Sequence, residues 1–218
     1  MRRLLLALVL LLVAADAQAQ RGRRSPFAPP EPTAFISLGA ALQNGFTVHD
    51  GATQSTWEFG DATQYTGSLE RVLSPGATFG VRGNIARMPL TVTNHSTATS
   101  TATSGDADAL VSQLFASLYI TSGGTIHSVL EGDVGATLYS NFEPRAGSAA
   151  VVSSGTDADF AFAFGYGFGY SFSPRMSVDV VRTSGQSLHQ KTGLSASDES
   201  SAHVGSTRLI VRLGLGEK

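Results

Sequence analysis

Between Asp159 and Phe172 the residues Phe160, Phe162, Phe164, Tyr166, Phe168, Tyr170 and Phe172 alternate with Ala161, Ala163, Gly165, Gly167, Gly169 and Ser171. Successive side chains on a β-strand point to opposite faces, so a period of two without a fault makes one face a continuous aromatic strip and leaves the other nearly bare. A soluble sandwich can bury such a strip, but its small face then meets water, where charged or larger polar groups normally stand. A narrow closed barrel, by contrast, needs small residues in its interior. The pattern therefore predicts a membrane-spanning strand whose seven aromatic side chains face lipid.

The same alternation recurs along the chain. In Ile126 to Phe142, the residues Ile126, Leu130, Val134, Ala136, Leu138 and Phe142 share one face, and His127, Glu131, Asp133, Thr137, Tyr139 and Asn141 share the other. In Leu110 to Ile120, Leu110, Leu114, Ala116, Leu118 and Ile120 oppose Gln113, Phe115, Ser117 and Tyr119. Thr207 to Leu215 sets Leu209, Val211, Leu213 and Leu215 against Arg208, Ile210 and Arg212. Ala77 to Ile85 sets Phe79, Val81 and Ile85 against Thr78, Arg82 and Asn84. Tyr65 to Leu73 and Ala34 to Gln43 follow the rule, with Leu69 and Leu73 opposite Ser68 and Glu70, and Ile36, Leu38, Ala40 and Leu42 opposite Ser37, Gly39 and Gln43.

The eighth strand, from Met176, alternates Met176, Val178 and Val180 with Ser177 and Asp179, but in unbroken phase it aims Arg182 at lipid. An outward arginine costs ~2–4 kcal/mol near the bilayer midplane and little near the interface. A β-bulge at Val180-Val181, which flips every later side chain, is therefore expected to return Arg182 to the interior.

Ser74-Pro75-Gly76, Thr121-Ser122-Gly123-Gly124 and Ser173-Pro174-Arg175 read as tight turns. Between them, long polar segments around Asn44 to Thr56, Thr93 to Asp108, Glu143 to Asp157 and Thr183 to Ala202 read as loops. Three short turns and four long loops define an all-β, eight-stranded antiparallel up-and-down transmembrane β-barrel, with both termini on the short-turn, periplasmic side.

The N-terminus sets the compartment. Met1-Arg2-Arg3 precedes an apolar run from Leu4 to Ala15, too short to span a bilayer, and Ala17-Gln18-Ala19 offers a small-x-small cleavage pattern. Residues 1–19 are read as a signal peptide cleaved on export, 20–33 as a Pro/Arg-rich periplasmic leader that behaves as a solvated linker, and 34–218 as the barrel domain. The chain has no cysteine, so neither a disulfide framework nor a lipidated N-terminal Cys is available. A formal net charge of −2 argues against a nucleic-acid partner. No later stretch is long and apolar enough for a transmembrane helix, and only closed strands then satisfy every backbone group in lipid.

With the signal peptide, eight alternating segments and this turn and loop asymmetry in place, residues 34–216 resemble the OmpX- and OmpW-like small outer-membrane barrel families, most clearly over Phe160 to Phe172 and Thr207 to Leu215. Members usually end on an aromatic residue that the insertion machinery reads; this chain ends Leu215-Gly216-Glu217-Lys218. The resemblance implies the architecture of a cell outer-membrane protein of Gram-negative bacteria and leaves activity open, because such families share fold far better than function.

The interior charges Glu70, Arg82, Glu131, Asp133, Asp179, Arg208 and Arg212 carry both signs and are expected to form ion pairs that plug the lumen, since a lone charge there is expensive. Gly165, Gly167 and Gly169 lie inside a strand with no helix following, so they are not a phosphate-binding loop. Asn94-His95-Ser96 matches a glycosylation sequon by chance. The five histidines show no metal-ligand spacing, and no cofactor site is expected. Outer-membrane lipid A deacylases use a His and a Ser two apart on a strand; His127-Ser128 and His203-Val204-Gly205-Ser206 do not fit, so no catalytic residue is assigned. The expectation is a non-enzymatic, monomeric barrel that contacts outer-membrane lipid and meets an extracellular ligand or surface through its loops. The alternative is a narrow porin-like conduit for small hydrophobic molecules.

Overall fold

A computed structural model describes residues 31–50, 55–95, 102–147, 156–189 and 201–217. The expected signal peptide, most of the expected leader and the tips of the four upper connections lie outside the described residues.

The chain forms ten antiparallel segments: β1 (Ala34–Gln43), β2 (Phe46–Asp50), β3 (Ser55–Phe59), β4 (Ala62–Ser74), β5 (Ala77–His95), β6 (Ala102–Gly123), β7 (Ile126–Pro144), β8 (Asp157–Ser173), β9 (Met176–Leu188) and β10 (Ser201–Leu215). β1 pairs with both β4 and β10, and β5 pairs with β6, which closes the sheet. β2 continues β1 and β3 leads into β4, so the ring has eight strands, two of them bent. The short turns after Ser74, Gly123 and Ser173 fall where the turn residues place them, and Thr33 N–H donates to Leu215 O at 2.9 Å, joining both ends of the barrel chain on that side.

The bends are built from one extra residue on each strand. Gln43 and Phe46 both face inward with Asn44-Gly45 between them, as do Phe59 and Ala62 around Gly60-Asp61. Gly45 N–H donates to Asp61 Oδ1 at 2.6 Å and ties the two bends together.

Following hydrogen-bonded neighbours once around the ring, from Ala86 through Gln64, Ala41, Arg208, Val181, Gly167 and Val129 to Thr121, ends beside Gly76, a displacement of ten residues along β5. That stagger tilts the strands by about 40° and leaves an interior that side chains can fill. Outside, Leu38, Leu42, Tyr65, Leu69, Val81, Leu114, Ile126, Phe164, Phe168 and Leu209 are exposed in an apolar belt. A bilayer-spanning strand needs about 9–11 residues. β5 has 19 and β6 has 22, so both stand well clear of the membrane.

Three expectations fail here. Asn44 to Thr56, Thr93 to Asp108, Glu143 to Asp157 and Thr183 to Ala202 are not loops throughout: much of each is strand, extending the wall upward as β2, β3 and the upper ends of β5 to β10. Val180-Val181 carries no bulge, because from Ser177 through Arg182 β9 pairs in unbroken register with both β10 and β8, leaving Val181 inside and Arg182 outside. Two interactions favour that phase: Val181 is fully buried with Tyr119, Val129 and Ile210, and the Arg182 guanidinium donates to Thr207 Oγ1 at 2.9 Å and Asn44 Oδ1 at 3.4 Å. Register shifts lie elsewhere, at Val72/Ser74 on β4, at Ser171/Ser173 on β8 and high on β7. Asn141 adopts a left-handed conformation (φ 50°) where the β6–β7 register shifts, which turns Phe142 inward and leaves Asn141 exposed, the reverse of the expected faces.

Candidate functional site

The lumen is filled in three tiers, and what fills each tier changes with height. At the membrane level all seven charged residues, Glu70, Arg82, Glu131, Asp133, Asp179, Arg208 and Arg212, are buried. Arg82 bonds Asp133 Oδ2 at 2.7 Å and also pairs with Glu131, which pairs in turn with Arg208. Asp133 accepts a second hydrogen bond from Ser117. Glu70 forms a separate group, accepting from Ser68, Thr78 and Arg212, whose guanidinium lies over the Phe35 and Tyr119 rings at 4.5 and 4.1 Å.

Among the described residues Asp179 has no guanidinium partner. It accepts from Tyr119 Oη at 2.7 Å and from Ser177 Oγ at 3.4 Å, and lies 2.9 Å from His127 Nε2; Ser171 Oγ is 3.3 Å from His127 Nδ1. Three guanidinium groups thus meet four carboxylates, and the fourth is served by uncharged donors and an imidazole. Gly169 permits this, since a Cβ there would stand 2.0 Å from Asp179 Oδ1 and 2.5 Å from His127 Nε2. Tyr119, His127 and Ser171 were not assigned a role from the sequence. Alternation placed Tyr119 and His127 on the inner face, but no spacing rule joins residues on β6, β7, β8 and β9.

Above the charges is a layer of amides. Gln64 Nε2 donates to Gln43 Oε1 at 3.1 Å and Gln113 Oε1 at 3.2 Å, Asn84 donates to the same Gln113 oxygen at 3.0 Å, and Thr66 donates to Asn84 at 2.7 Å. The cavity beside this layer, bordered by Arg82, Arg208 and Thr137, has a volume of about 20 Å³. That admits about one water molecule and no solute.

Higher still the lumen is apolar. Phe46, Val48, Trp57, Phe59, Met88, Leu90, Val92, Ala107, Val111 and Tyr139 form one buried cluster, with Phe142 and Val204 packed against it. Phe46 stacks on Phe59 with centroids 4.6 Å apart, Phe59 on Tyr139 at 5.5 Å, and Trp57 meets Phe142 edge-on at 5.5 Å. Outside this core the wall is polar, with Arg87 paired to Glu143 and Arg145 to Asp108. The core ends upward at His189, whose ring meets Trp57 edge-on at 5.5 Å while Nδ1 lies 2.9 Å from Asp159 and Nε2 3.8 Å from Asp50. Burial by itself depresses the His189 pKa, but Asp159, Asp50 and Asp157 together outweigh burial and raise it. Burial, then Asp159, pushes the Tyr139 hydroxyl pKa well up.

No family model and no curated protein matches the chain. Among solved structures it is similar to Neisserial surface protein A, at 11% identity over 86% of this chain and 100% of that one, with a TM-score of 0.56. The chain has the fold of a small outer-membrane β-barrel. The barrel is also similar to the N-terminal β-barrel domain of Pseudomonas aeruginosa OprF (11% identity, 84% and 98% covered, TM-score 0.44) and to the outer membrane protease OmpT from Escherichia coli (11%, 88% and 99%, 0.46).

Proposed function

We propose that this is a non-enzymatic integral protein of the outer membrane, a closed pedestal that lifts its extracellular connections above the lipid surface for contact with an external ligand or surface. The observation that carries this reading is the double closure of the lumen, by salt bridges at membrane depth and by an aromatic core above it. A porin-like conduit needs a continuous path, and ion pairs, amides and aromatic rings occupy successive levels of this one. Purified barrel in planar bilayers is expected to pass no reproducible current; stepwise conductance would support the conduit instead.

A hydrolase reading has one observation in its favour, the Ser171–His127–Asp179 chain of contacts. The structural role is preferred because Asp179 is locked by Tyr119 and Ser177 as well as His127, and the Ser171 N–H, a natural donor to an oxyanion, is spent on Thr125 O at 2.7 Å. A fluorophosphonate probe is expected to leave the protein unlabelled, and labelling lost in Ser171→Ala would overturn the non-enzymatic assignment.

A further inference from the structure

The apolar belt has a gap. On β9 and β10 it ends at Val180 and Leu209, and the next outward residues are Arg182, Ser184 and Gln186 on one strand and Thr207, Gly205 and His203 on the other. Arg182 lies on the line of paired residues that starts at Ala77, beside a short turn, and runs through Ile120, Leu130 and Tyr166. Each of these four steps climbs about 3 Å on strands tilted by about 40°, which puts the Arg182 Cα ~12 Å above that turn. Because the belt is ~25 Å tall, this is close to mid-belt. Phe164, Phe162 and Phe160 continue the apolar surface beside the gap on β8, and Leu42, 70% exposed, continues it on β1. The gap is therefore local to the outer-leaflet half of two strands.

Within it Arg182 is bound sideways, to Thr207 and to Asn44 just beyond the upper end of β1, so its guanidinium is drawn toward the upper rim. Among the described residues no carboxylate pairs with it. Ser184 Oγ lies 3.3 Å from His203 Nε2, adding a hydroxyl and an imidazole to the patch. Thr207 and Asn44 satisfy part of the hydrogen bonding of Arg182 but none of its charge, so an anion from outside the chain would complete the site, and the neighbouring hydroxyl and amide groups suit sugar hydroxyls.

We propose that the outer face of β9 and β10 binds the phosphate-bearing headgroup of an outer-leaflet glycolipid. The phosphate pairs with Arg182, the sugar occupies the polar gap over Ser184, Gln186, Thr207 and His203, and the acyl chains descend along the aromatic strip of β8. A second copy of the chain is the poorer occupant: a symmetric contact through this face brings two Arg182 side chains together and, among the described residues, supplies no carboxylate.

The test uses the full barrel in neutral detergent micelles, with folding checked by heat-modifiable gel migration. Diphosphoryl lipid A, its dephosphorylated form and inorganic phosphate are the probes, and retention is read by native mass spectrometry. The folded protein is expected to retain diphosphoryl lipid A, with at least ten-fold lower retention of the dephosphorylated lipid and little competition from excess inorganic phosphate. Arg182→Gln is expected to lower lipid A retention at least ten-fold, Arg182→Lys to restore part of it, and Ser184→Leu, which extends the belt, to weaken it with the fold intact. Equal retention by wild type and Arg182→Gln would overturn the proposal, as would full displacement by inorganic phosphate. A dimer of the chain that Arg182→Gln dissociates would also overturn it.

Discussion

On β5, Arg82 points into the lumen and Val81 toward lipid; a little further along the same strand, in the same phase, Met88 points into the lumen and Arg87 outward. β6 repeats the exchange, with Ser117 inside and Leu118 outside below, Ala107 inside and Asp108 outside above. The backbone is continuous across the change. What differs is the medium around the wall: in lipid the apolar side chains are wanted outside and the lumen is left to groups that satisfy one another, whereas in water the ordinary hydrophobic effect operates and the lumen becomes the core. The two plugs therefore differ in kind. The lower one fails when a partner is removed, and the upper one when volume is removed.

The largest expected effect breaks the lower half. Glu131→Ala leaves both Arg82 and Arg208 short of charge, and removing one partner of a buried pair costs about 3–5 kcal/mol. Urea unfolding of the barrel in vesicles should show this as a lower midpoint. A similar midpoint in wild type and variant would remove the case for an electrostatic plug. Next comes the upper half: Phe59→Ala opens a cavity against Phe46 and Tyr139 at a cost of about 3 kcal/mol. Limited proteolysis should then cut the upper wall while the membrane belt stays protected, and cleavage in both would show that the halves do not separate.

A smaller effect sharpens the boundary between core and cap. The folded His189 pKa is raised above its unfolded value near 6.5, so this residue's contribution is fully present below that value and is lost as pH rises through the folded pKa. Trp57, the chain's single tryptophan, touches the His189 ring, so its fluorescence should change across that window and stay flat in His189→Asn. The smallest effect belongs to the outer wall, where Arg87→Ala removes an exposed pair with Glu143 and should shift stability by less than about 1 kcal/mol, a null result by the same unfolding assay.

The membrane-level strands were legible because large apolar residues alternate with small or polar ones over long runs, and a one-residue slip exposes the whole error. The upper wall was not, although Phe46 and Val48 alternate on β2 and Trp57 and Phe59 on β3. Those runs are only five residues long, and the first lies wholly within the polar segment Asn44 to Thr56 that reads as a loop. Arg182 misled for a related reason: a rule about cost in uniform lipid overlooked Thr207 and Asn44, which only the ring brings beside it. The Asp179 contacts were unreadable because they join four strands through side chains.

The exchange of inner and outer chemistry along β5 and β6 also fixes how deep the barrel floats. Sinking it drags the Arg87–Glu143 and Arg145–Asp108 pairs into hydrocarbon, and raising it exposes the oily band to water, so displacement either way is opposed. A thicker or thinner bilayer must then adapt to the protein at its waterline, and the upper ends of β5 and β6 keep a constant height above the lipid.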